Sequence, residues 1–138
     1  MSDLLTPDLV RASVQALAAL FLAITLLQSG VDKVVDFKGN LGWMTPHFAK
    51  SPFAGMVPLL LGVLTVLELA SGVFCAAGVG ALLLGRGGAL ASAGLLLGGL
   101  NFCALLLGQR LAKDYAGAAG LVPYFLVTLV GLLAHVGV

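Results

Sequence analysis

Charge is what this chain has least of. Of its 138 residues only 9% are Asp, Glu, Lys or Arg, while 60% are hydrophobic and the mean hydropathy is +1.12. A water-soluble domain carries roughly a quarter charged residues, so this chain cannot dress a water-facing surface. Seven basic and six acidic side chains leave a net charge of +1, with no basic run and no acidic tail. That pattern argues against nucleic acid as a partner. Cysteine is equally scarce, and Cys75 and Cys103 make neither a CxxC pair nor a metal spacing. Phosphate-cradling glycine loops, nucleophile elbows and zinc motifs are missing as well. No metal is expected, and any cofactor is either a small lipid-soluble molecule or belongs to a partner.

What the chain does have is uninterrupted apolar sequence. No charged residue occurs over 12–31, 87–109 or 115–138, and a single one, Glu68, over 51–85. A bilayer span needs about 20 mostly apolar residues. Four segments of that kind fit, at about 11–31, 57–84, 87–108 and 116–136. Backbone groups in hydrocarbon must pair internally, and the alternation of a barrel strand is missing, so the four runs are expected as helices. The first run is full length, follows Asp3 and Asp8 and lacks a basic leader, so it is expected as a span and not as a signal peptide. The predicted fold is all-α: a single domain over 1–138, a polytopic four-transmembrane-helix bundle in a lipid bilayer.

The joins have distinct characters. "GRGG" (85–88) is a tight turn, and "GQRLAKDYAG" (108–117) is a short polar link. The join at about 32–56 is too long to be structureless in so small a protein. Its Phe37, Trp43, Phe48 and Phe53 suggest a short interfacial or re-entrant segment in the headgroup layer. Gly39, Gly42 and Pro46 argue against one continuous helix there. Pro58 falls in the first turn of the second span, where it is harmless, whereas Pro123 lies inside the fourth and should bend it. The side with the long join holds Lys33, Lys38, Lys50, Arg110 and Lys113; the other holds Arg11 and Arg86. Five against two puts the long join in the cytoplasm and the termini outside.

Each span gathers its small and polar residues on one stripe. These are Ala18, Phe21, Thr25, Gln28 and Asp32 in the first, and Thr65, Glu68, Gly72 and Cys75 in the second. The third has Gly87, Ala91, Gly94, Gly98 and Asn101; the fourth has Gly117, Gly120, Tyr124, Thr128, Gly131 and His135. Such stripes are expected to face the bundle interior, with Gly72, Gly94 and Gly98 as packing positions, Gly94 and Gly98 at small-xxx-small spacing. Simple abundance of glycine, 19 residues in all, is the alternative. His47 and His135 lie a bilayer apart, so they are not paired ligands of one haem. Cys75 and Cys103 sit toward opposite faces, which speaks against a disulfide.

Glu68 is the position that asks for an explanation. It falls about 16 Å along its helix, near the midplane of a ~30 Å core. An ionisable group there costs about 3 kcal/mol or more and is by default a functional candidate. Its expected partners are Gln28, Asn101 and Tyr124, with Lys33 reaching it only by snorkelling inward. A proton or ligand site is one reading, an interhelical structural clamp another, and a lipid-facing accident a third. Arg110, Lys113, Asp114 and Tyr115, with Trp43 and Tyr124 as an aromatic wall, are a candidate vestibule below it. They would suit an anionic or carbonyl-bearing ligand; plain anchoring of helix ends is the alternative.

Several motifs together resemble the DoxX-like family of small four-helix bacterial membrane proteins. They are Arg11, Gly30-Val31-Asp32-Lys33, Glu68-Leu69-x-x-Gly72, Arg86 and, above all, "GQRLAKDYAGAAGLVPYF" from Gly108 to Phe125. The resemblance covers about 11–133; the expanded "FKGNLGWMTPHFAKSPF" join departs from it. It implies a four-helix bundle in the bacterial inner membrane. Because some members are assigned as the small subunit of a thiosulfate:quinone oxidoreductase, it also implies quinone-linked redox or sulfur metabolism. Gly30, Lys33, Glu68, Gly72 and Arg86 are the positions it carries over. On this reading the chain is a membrane subunit, possessing no catalytic centre of its own or serving as a small subunit beside a protein partner, with a quinone as the expected cofactor. Glu68, Lys33, Gln28 and Asn101 form the candidate proton or ligand site. A non-catalytic scaffold or assembly factor is the rival. A small-solute carrier is the third, and with four helices and no inverted repeat it would have to be a homo-oligomer.

Overall fold

The computed structural model describes residues 5–136. Among them every regular element is helical, in the order α1 (Pro7–Val35), α2 (Phe37–His47), α3 (Val57–Leu83), α4 (Ala89–Leu111), α5 (Tyr115–Ala119) and α6 (Val122–Leu133). Four stretches are long and apolar enough to cross a membrane: α1, α3, α4 and the α5–α6 unit from Tyr115 to Leu133. The chain is a four-helix membrane bundle.

Local chemistry sets the helix ends. Thr6 caps α1 by accepting a hydrogen bond from the Leu9 amide at 3.1 Å, and Pro7 and Asp8 suit the first turn. Asp36 closes α1 with its backbone and opens α2 with its side chain, which accepts from the Gly39 amide at 3.2 Å. Between α3 and α4, Gly85 and Gly87 adopt φ of +71° and +87°. Glycine takes that left-handed backbone without a Cβ penalty, so the chain reverses within a few residues.

The bundle is built on α3, which packs against both α1 and α4. A Cβ on Gly94 would sit 2.6 Å from the Cys75 amide nitrogen, and one on Gly78 would strike the Ala91 backbone. The α3–α4 pair is therefore a close backbone approach, as small-residue stripes allow. Between α1 and α3 the fit is reciprocal: Leu69 lies over Gly30, and Leu27 lies over Gly72. At the termini end, Gln15 donates to the Ala134 carbonyl at 2.8 Å and ties α1 to the end of α6.

Five expectations need correction. The first span runs four residues further at each end than 11–31, so Asp32 and Lys33 belong to α1. Its inward face is Ala18, Leu22, Leu26 and Gly30; Phe21, Gln28 and Asp32 are exposed and Thr25 is half-buried. Small and branched apolar side chains fit the tight α1–α3–α4 interface better than the polar stripe does. The long join holds one unbroken helix, because Pro46 sits in the last turn of α2, with Gly39 and Gly42 tolerated before it. The fourth span is interrupted instead of merely bent. Pro123 has no N–H to offer the Ala119 carbonyl, so α5 stops at Ala119 and α6 restarts at Val122 with the proline in its first turn. Gly87 lies in the turn, outside α4.

Candidate functional site

Extending α1 to Val35 places Lys33 on the same face as Leu26 and Gly30, toward α3. Its ammonium donates to Glu68 Oε2 at 3.1 Å and to Ser29 Oγ, one turn back, at 2.7 Å. The Glu68 side chain is 2% exposed and that of Lys33 15%. The carboxylate thus faces the helices, and the pair lies within the span. Burial of two charges is costly, and the direct contact together with the serine offsets part of that cost.

Asn101 completes the polar centre. Gly78 meets Ala91, Gly94 meets Cys75 and Gly98 meets Ser71, which defines an antiparallel register for α3 and α4. The next step along that register sets Asn101 opposite Glu68. Asn101 is fully buried, and neither amide atom has a hydrogen-bond partner among the described residues. Buried polar atoms are rarely left so, and such a group calls for a specific explanation. Ser71, by contrast, is satisfied by donating to the Gly94 carbonyl at 2.8 Å.

Next to this centre is a cleft of about 310 Å³ between α3 and α4, closed over by α2. Leu64, Leu67 and Leu105 line it, Trp43, Phe48 and Phe53 supply an aromatic wall, and Lys33, Asn40 and Gln109 are its polar members. Its size falls at the lower end of small-molecule sites, and an apolar wall with a few polar groups is their usual composition. A smaller hollow of about 100 Å³ beside Phe102 and Phe125 is almost wholly apolar, and neither member of the charged pair lines it.

The other anticipated site residues are elsewhere. Gln28 is exposed on the outer side of α1 beside Val31 and Asp32, and cannot meet Glu68. Tyr124 stacks against Phe102 at a centroid distance of 5.9 Å and meets Phe21 at a tilt at 6.1 Å, and it does not line the cleft. Arg110 is exposed and covers the Tyr115 ring at 5.3 Å. Lys113, at φ +62°, occupies the turn after α4, and Asp114 caps α5 by accepting from the Gly117 amide at 2.9 Å. Of the proposed vestibule only Trp43 lines the cleft, because the α4–α5 link turns its charges outward to serve helix ends.

Two polar contacts were not anticipated from the sequence. His47 Nε2 lies 2.8 Å from Gln109 Oε1 and 3.5 Å from Asp114 Oδ2. With two oxygens facing it, that nitrogen is the one that carries the proton. The imidazole stacks on Trp43 at 4.8 Å and meets Phe48 edge-on at 5.0 Å. The cluster pins α2 to the end of α4 across the water-side mouth of the cleft. His47 and Gln109 are 62 positions apart, and no local pattern announces their meeting. At the opposite end His135 adjoins Gly88, and burial pushes its imidazole below the usual range.

Both cysteines are free, Cys75 buried and Cys103 exposed. Among the described residues no group of three or more His, Cys, Asp or Glu side chains could hold a metal ion. Comparison with protein-family models yields no match, and no curated protein or solved structure matches the chain significantly.

Proposed function

We propose that this chain is a membrane subunit serving quinone-linked redox chemistry together with a protein partner, and that the α3–α4 cleft receives the quinone ring. The observation that carries this reading is the buried Lys33–Glu68 pair beside an otherwise apolar, aromatic cleft inside the span. The residues fit such a group. An ammonium has three N–H bonds; Ser29 and Glu68 engage two, which leaves one for a carbonyl oxygen. Trp43, Phe48 and Phe53 offer flat apolar surface for a ring.

A quinone supplies the acceptance of two electrons and two protons. Lys33 positions a carbonyl by donating to it and carries the proton that can be delivered, Glu68 as its ionised partner can take up the replacement proton, and Asn101 offers a further donor and acceptor behind them. The electrons come from the partner. The DoxX-like motifs around Lys33, Glu68 and Gly108–Phe125 support a link to sulfur or quinone metabolism in a bacterial cell membrane. The five-to-two distribution of basic residues supports extracytoplasmic termini. Binding of a benzoquinone analogue to the purified protein tests the site. Glu68→Gln and Lys33→Met should each weaken it about tenfold or more, the worth of a hydrogen bond to a charged group. Unchanged affinity in both variants removes the pocket.

One observation favours a second reading, a non-catalytic scaffold. The pair sits beside the interlocked Leu69–Gly30 and Leu27–Gly72 contacts, where it would fix the register of α1 against α3. On that reading Glu68→Gln loosens the bundle and leaves partner-linked redox activity intact, and the chain co-purifies stoichiometrically with a larger protein.

A further inference from the structure

The cleft has two sides, and they differ. At the end covered by α2 it is bridged: the His47–Gln109 hydrogen bond joins α2 to α4, with Trp43 stacked on the imidazole and Phe48 beside it. Between Val63 and Leu107 no hydrogen bond crosses it among the described residues. Val63 and Leu67 line the cleft and also line an apolar groove on the outer face of α3 that runs past Gly62 and Val66. Val63 and, on the α4 rim, Leu107 are each 55% exposed. A Cβ on Gly62 would meet no atom within 4 Å, so the groove is open where it leaves the cleft.

We propose that the cleft is loaded sideways from the bilayer and that its ligand is a long-chain amphiphile. The polar head lies at Lys33, and the apolar chain leaves between Val63 and Leu107 and follows α3 past Gly62. The proposal rests on the headgroup reading above and adds the route and the chain. A polar head with an apolar chain matches the distribution of polarity, since the inner end holds the charged pair and the exit has only aliphatic surface. Entry from water would require breaking the α2–α4 latch and drawing the chain through the aqueous layer. Entry from lipid requires neither, and the chain stays in hydrocarbon throughout. Val63 and Gly62 thereby become the positions that select for a chain.

Trp43 is the single tryptophan of the chain and lines the cleft, so quenching of its fluorescence reports occupancy. The probes are a decyl-substituted benzoquinone and the same ring without the chain, with the full-length protein in lipid nanodiscs. Val63→Phe and Gly62→Leu fill the exit at exposed or open positions outside the core. Each is expected to weaken the decyl probe at least about tenfold, the scale on which an apolar pocket discriminates by shape. The chainless ring should bind Gly62→Leu as before, because Gly62 lies outside the cleft, and that binding doubles as the control for folding. Equal binding of the decyl probe to wild type and both exit variants overturns the sideways route while leaving the headgroup site standing. Equal loss of both probes overturns the assignment of the exit to the chain. If neither probe quenches Trp43 in the wild type, the headgroup reading fails and this inference with it.

Discussion

Glu68 has a lysine for a neighbour, and the energetics of the centre turn on that pairing. Removing one member of a buried pair leaves the other charged and unpartnered, which costs about 3–5 kcal/mol. Lys33→Met is therefore expected to lower the unfolding free energy in mixed micelles by about that amount. Lys33→Met combined with Glu68→Leu should recover most of the loss, because an apolar pair has no charge to desolvate. A single variant as stable as wild type contradicts the burial of the pair. Asn101 is predicted to behave oppositely. Its amide is buried without a hydrogen-bond partner among the described residues, so Asn101→Leu should raise the stability of the ligand-free bundle by about 1 kcal/mol. The same unfolding assay reads this; a large loss would mean that the amide is satisfied.

At the scale of elements, the α3–α4 contact depends on absent side chains. Gly94→Ala would push a methyl group onto the Cys75 backbone, and overpacking of that kind costs about 1–3 kcal/mol. Gly62→Ala, on the same hairpin but facing open space, should be neutral or slightly stabilising. Equal responses would show that α3 and α4 are not in close contact. The contrast also marks what the sequence reveals. The Thr65–Glu68–Gly72–Cys75 stripe on α3 and the Ala91–Gly94–Gly98–Asn101 stripe on α4 are periodic, and all eight are buried, so the inward faces of those two helices were legible. The polar stripe on α1 misled, because Gln28 and Asp32 are periodic too but lie on the outer side. Lys33 was hard to place because three charges in five positions, Asp32 to Asp36, resemble a helix end, yet the helix continues past the first two to Val35 and ends only at Asp36. The vestibule residues share a short stretch of sequence, and shared sequence says nothing about which way side chains turn after a break. The His47–Gln109 contact depends on the folding back of α2, a tertiary event without a local signature.

For the whole molecule, four apolar helices require that the 85–88 turn and the α2 region lie on opposite sides of the membrane. Single cysteines replacing Lys38 and Arg86, in a background without Cys75 and Cys103, should react with an impermeant maleimide from opposite faces of oriented vesicles. Labelling of both from one face contradicts four crossings. The architecture further concentrates the buried polar groups and the cleft in the half of the bundle that bears the long join. The charged pair, Asn101, the cleft and the α2 cover all lie there, while the termini half holds the tight turn and the Gln15–Ala134 tie.

The measurement that bears most directly on this account exploits a fact of composition: Glu68 is the only glutamate in the chain. Carbon-13 glutamate and nitrogen-15 lysine, incorporated together, allow the carboxyl–ammonium separation to be read by dipolar recoupling NMR in lipid bilayers. A strong coupling that corresponds to the 3.1 Å contact, abolished by Lys33→Met, is the predicted result. A Glu68 carboxyl with no coupling to any lysine, and in contact with lipid acyl chains instead, would contradict the account at its centre.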